Sequence, residues 1–167
     1  MNAAVWFGAA IFFTFGIGAA PFSQEMKTLL GGNNFSYFSG AIAQIYIARY
    51  FYLHLICGAV ALVHLLGEWV YLGRTPQKFA LGLLTALIAA GLLGGYWLHP
   101  KMKELHRIKY GSTSAQARES ADHSFRTWHG ASQGINLLML CGLAVYLWRV
   151  ANPADPARFV STTKFRS

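Results

Sequence analysis

Charge is what this chain lacks most. Only 12% of its 167 residues are Asp, Glu, Lys or Arg, and only six of them are acidic. An average soluble domain carries about 25%, so a globule dissolved in water is a poor match to this composition. Cysteine is nearly as scarce: Cys57 and Cys141 both fall inside apolar runs, without CxxC spacing. No disulfide framework or cysteine metal knuckle follows from that pair, and both read as small buried hydrophobes. There is no internal repeat, low-complexity tract, phosphate-cradling glycine loop or nucleophilic triad, so no hydrolase is expected. The net charge of +8 could suggest nucleic acid, but its Lys and Arg lie in short segments that flank apolar runs. Such segments suit the anionic headgroups of a lipid bilayer, and nucleic acid is set aside as a partner.

What remains is apolar: 54% hydrophobic residues and a mean hydropathy of +0.36. Four apolar stretches are visible, and about 20 residues are needed to cross the hydrocarbon. The expected fold class is all-α, an integral membrane four-helix bundle with interfacial helical extensions. Residues 1–150 would form the four-span domain and residues 151–167 a polar tail, poorly ordered around Pro153 and Pro156. Helix one, about residues 3–20, has no basic leader or cleavage site and reads as a retained span ended by Pro21. Ser23 is placed to cap a short interfacial helix, "SQEMKTLL", before the turn Gly31-Gly32-Asn33-Asn34. The next run, residues 41–72, would rise about 48 Å, too long for one crossing. Arg49 should lie near the interface, which puts the crossing at residues 50–72. A turn at Gly73-Arg74-Thr75-Pro76 leads to helix three, residues 78–98. A polar helical stretch from Ser114 runs into helix four, residues 128–148. Basic residues divide almost evenly between the two sides, so the positive-inside rule gives no orientation. A bacterial inner membrane is the expected location.

Two glycine pairs, Gly91/Gly95 on helix three and Gly130/Gly134 on helix four, have the spacing that lets helices approach closely in lipid. Helices three and four are therefore expected to pack through them. With helix two entering at Tyr50, His54 would sit about 6 Å inside, and His129 at a similar depth on helix four. His64 and Glu68, four residues apart, share a face of helix two and are expected deep in the bundle, turned toward another helix. Arg126 would mark the interface, and Ser132, Gln133 and Asn136 would continue a polar seam from His129. Polar side chains inside a span face protein or water rather than lipid. Each has a plainer reading: an interhelical hydrogen bond for His54, an interfacial partner for His129, a structural pair for His64 and Glu68. Solvation is the default for His99, His106 and His123.

The functional reading is a neutral-imidazole site. Two histidines at one depth on facing helices could ligate haem; with His64, Glu68 or Glu25 they could hold a transition metal. A small solute or metal-ion transporter would use the same groups, and a non-catalytic membrane interaction module, with a possible homo-oligomer, needs no chemistry at all. The segments "SFRTWHGASQGINLL" and "WLHPKMKELH" resemble the transmembrane protein 205-like family, through Phe125-Arg126, His129-Gly130, Ser132, Asn136-Leu137, Leu98, Pro100 and Lys101. That resemblance implies a four-helix membrane fold and supplies no activity; His99 departs from the acidic or polar residue usual before that proline.

Overall fold

A computed structural model describes residues 1–73 and 77–152. Among them the regular structure is helical, without strands, and four rods are long and apolar enough to cross a membrane. The chain is an integral membrane protein. Helix α1 (Asn2–Ile11) continues through a π-helical stretch, Phe12–Ile17, and a 3₁₀ turn, Ala20–Phe22, holds Pro21 in its first turn. Helix α2 (Gln24–Leu30) starts as expected, with the Ser23 hydroxyl accepting from the Met26 N–H at 3.2 Å. Hydrogen bonds from the backbone and from Ser23 hold the Glu25 carboxyl below the usual carboxylate range. Gly31, at φ 71°, turns the chain back.

Helix α3 (Phe35–Leu72) is one rod of 38 residues, about 57 Å long. Helix α4 (Lys78–Leu93) passes through a π-helical segment, Gly94–Leu98, into α5 (His99–Gly111). Pro100 explains the local widening: its nitrogen cannot donate and its ring crowds the preceding turn. Helix α6 (Ala115–Ala151) is capped by Ser114, whose hydroxyl accepts from the Ala117 N–H. The turn at Arg74–Pro76 and the tail at 153–167 lie outside the described residues.

Contacts run α1 to α3, α3 to α4, α4 to α6 and α6 to α1, a closed ring with α3 and α6 at opposite corners. Trp6, Ala10, His54, Cys57, Leu84, Leu87, Met139 and Leu143 fill its centre. At one end α5, the start of α3 and the first turns of α6 continue past the apolar rods as a crown. There Asp122 pairs with Lys109 and with Arg126, at 2.9 Å for the latter. His106 lies only 6% exposed in the crown, stacked on Tyr37 with centroids 5.4 Å apart. The solvated His106 expected from sequence is therefore corrected. Gly40 of α3 leaves the room it fills, since a Cβ there would overlap the ring.

Cross-helix contacts also correct the depth scale. His99 Nε2 donates to the Gln44 carbonyl at 3.1 Å, tying the start of α5 to Gln44 rather than Tyr50. At the other end, Asn2 donates to the Cys57 carbonyl and Arg149 lies over the Phe79 ring. The part of α3 beside the other rods thus begins near Gln44, about two turns earlier than Arg49 suggested. Arg49, on the exposed surface, keeps its charge at the boundary by extending its long side chain outward.

Candidate functional site

His54 is the one fully buried imidazole in the described core, at 0% exposure. Trp6 Nε1 donates to its Nδ1 at 3.0 Å, and its Nε2 stands 2.9 Å from the Leu87 carbonyl oxygen. Indole N–H can only donate and a carbonyl can only accept, so the ring is the neutral tautomer with its proton on Nε2. One side chain of α3 thereby pins α1 and α4. Trp6 also meets the Tyr146 ring of α6 edge-on, 6.1 Å between centroids, which brings in the fourth rod. Gly91 makes this possible: a Cβ there would overlap the His54 ring.

The seam expected between His54 and His129 is not formed. Tyr146 lies beside Trp6, and His129 is 17 residues earlier on the same helix, about 25 Å along its axis. His129 is exposed at the crown-side boundary, stacked on Phe125 and next to Gln133 at 3.2 Å. Two imidazoles so far apart cannot share one iron or metal atom, and both ring nitrogens of His54 are already engaged. The residues do not fit an axial pair for haem. The error came from taking Tyr50 as the entry point, which moved His54 two turns toward the surface.

His64 and Glu68 face each other at 3.4 Å, with side chains 76% and 50% exposed. They lie past the Asn2–Cys57 bond on a face of α3 that the other described helices leave uncovered, while Ala61, Leu62 and Leu65 of the same stretch pack into the core. The deep pair expected from sequence is a surface pair, and no group of three or more His, Cys, Asp or Glu suited to a metal occurs among the described residues. Glu68→Gln and Glu68→Leu should therefore both melt within ~0.5 kcal/mol of the parent; a large loss for Leu alone would restore a buried role.

Within the expected polar seam, only Asn136 reaches another helix, donating to Thr14 Oγ1 of the α1 π-segment at 2.9 Å. Ser132 donates back to the His129 carbonyl at 2.7 Å, and Arg126 turns to Asp122 in the crown. The glycine pairs do not meet either. Gly91 and Gly95 face His54 and Phe51 of α3, while Gly130 and Gly134 face open space. Helices three and four touch elsewhere, with Gly142 against Leu87 and Leu83. Trp6, the acceptor's partner, was missed; its one signal was a tryptophan well inside a span rather than at an interfacial belt.

Residues 1–110 match the family described as Domain of unknown function (DUF4149). This match takes in Trp6, His54, Leu87 and Gly91. No curated protein and no solved structure matches the chain.

Proposed function

We propose that this chain, which belongs to the Domain of unknown function (DUF4149) family, is a non-catalytic membrane interaction module that associates with a second copy through α6. The observation that carries this reading is the uncovered stripe Gly130, Gln133, Gly134, Leu138 and Cys141, all exposed. Nothing lies within 4 Å of where a Cβ would stand on either glycine. Bare backbone at this spacing suits close helix approach in lipid, and an amide one turn inside the boundary gains from a protein partner. Transport gains less support, because the centre of the bundle is a packed apolar layer around His54 rather than a polar line. The resemblance to the transmembrane protein 205-like family fits a four-span scaffold, and a bacterial inner membrane remains the proposed location.

Cys141 supplies the test, since Cys57 is buried and Cys141 exposed. Copper phenanthroline, which enters the bilayer and uses dissolved oxygen as the oxidant, should join two copies in native membranes through a Cys141–Cys141 disulfide. Gly134→Leu should abolish the dimer while leaving the monomer's melt unchanged. Absence of any crosslinked dimer in the parent chain would end the self-association reading.

A further inference from the structure

A second feature lies in the crown and does not depend on association through α6. Where the start of α3 meets the end of α5, a hollow of about 430 Å³ opens outward, lined by Asn33, Asn34, Ser36, Tyr37, Phe38 and Tyr110. Small-molecule sites span ~300–1,000 Å³, so the space suits one small molecule. Its walls combine aromatic rings with neutral hydrogen-bonding groups, and none of the lining residues is charged.

Local structure keeps these groups available. Ser23 and Ser114 use their hydroxyls to cap α2 and α6, whereas Asn34, at the same position of α3, makes no capping bond. Its amide is left for another partner. Tyr37 stacks one ring face on the buried His106 yet stays 44% exposed. Phe38 and Tyr110 stand edge-on to Tyr37, with centroids 5.2 and 5.7 Å away. A wall fixed in this way needs little ordering when a ligand arrives.

These rings are too high for an interfacial aromatic belt. Trp97 and Trp128 hold that position, 5.1 Å apart, with Trp97 two residues before His99. Tyr37 precedes Gln44 by seven residues, about 10 Å up the rod. Headgroups add only ~5–8 Å to each side of the hydrocarbon. The hollow therefore faces water above the lipid.

The lining chooses among ligand classes. An anion calls for a cation in the wall, and Lys109, over the Tyr110 ring, is paired with Asp122. A quaternary ammonium suits aromatic faces, but the positive end of the α3 dipole opposes it. A neutral, hydroxyl-rich ring meets both halves of the site. Its hydroxyls donate and accept, as do the Asn amides and the Ser and Tyr hydroxyls, and its C–H face can cover an aromatic ring. We propose that the crown hollow binds a neutral saccharide ring, stacked on Tyr37 and held by Asn33 and Asn34.

Saturation-transfer NMR on the full chain, purified in a sugar-free polyoxyethylene detergent, tests this with the methyl glycosides of glucose, galactose, mannose and N-acetylglucosamine. At least one should receive saturation, strongest at the C–H protons of one ring face. Asn33→Ala combined with Asn34→Ala changes two exposed side chains. It should leave the melt unchanged and weaken that sugar at least about tenfold, the loss expected for two hydrogen bonds. Tyr37→Leu should erase the ring-face pattern. Nanodiscs carrying a glycolipid with the same sugar should compete no better than plain ones; displacement would keep the saccharide and assign it to a lipid headgroup. No saturation of any of the four sugars, stronger saturation of adenosine, or unchanged affinity in the asparagine variant would overturn the proposal, whether or not Tyr37→Leu folds. Competition by millimolar inorganic phosphate would mean an anion site and overturn it equally.

Discussion

His54→Leu is expected to lower the stability of the bundle by about 3 kcal/mol, although leucine nearly matches the volume it replaces. The loss comes from what is left behind. Trp6 Nε1–H keeps its place in the core with no acceptor, and a buried unsatisfied donor costs roughly 1–3 kcal/mol; the bond to the Leu87 carbonyl disappears as well. Removing the donor at the same time should recover much of the loss. Trp6→Phe alone strands His54 Nδ1, yet Trp6→Phe with His54→Leu leaves neither group unpaired. The double variant should therefore be more stable than the sum of the two losses predicts, with a coupling on the order of 1–2 kcal/mol. Unfolding in mixed detergent, followed by tryptophan fluorescence and repeated by circular dichroism for the Trp6 variants, reads all four corners. Strict additivity would mean that the bond contributes nothing to the fold.

The four rods were legible because hydropathy acts at the scale of 20 residues, and a wrong residue or two does not alter it. Caps were legible for the same kind of reason: Ser23 and Ser114 each act on the N–H three residues on, so local sequence contains the whole interaction. Register between rods was not legible. Arg49 was the only charge in the long α3 run before Glu68, and it drew the boundary toward itself, although a long cationic side chain can reach a boundary from about two turns inside. That single displacement put His54 level with His129 and sank His64 and Glu68 into the bundle. Contacts between helices, such as His99 with Gln44 and Asn2 with Cys57, carry the register, and each pairs residues 55 apart in the chain. Glycine spacing had a related weakness. The motif at Gly91/Gly95 does mark a close approach, but spacing alone names neither the partner helix nor the side chain that fills the notch.

Gly91 offers the sharpest check on that notch, because the sign of one substitution should reverse with its background. Gly91→Ala in the parent puts a Cβ into the His54 ring, chiefly against its Cδ2 and Nε2 edge. The ring must then swing away from the Leu87 carbonyl or α3 must move off α4. Overpacking of this kind costs about 1–3 kcal/mol, and the lost hydrogen bond places the expected loss near the upper end. In a His54→Ala background the ring is gone and the same methyl enters vacated space. There the change should be neutral or stabilising, since alanine favours a helix interior over glycine by about 1 kcal/mol. Gly130→Ala, with open space on its side of α6, should show no such reversal. If Gly91→Ala destabilises equally in both backgrounds, the glycine serves backbone approach by itself, and His54 is not what fills the contact between α3 and α4.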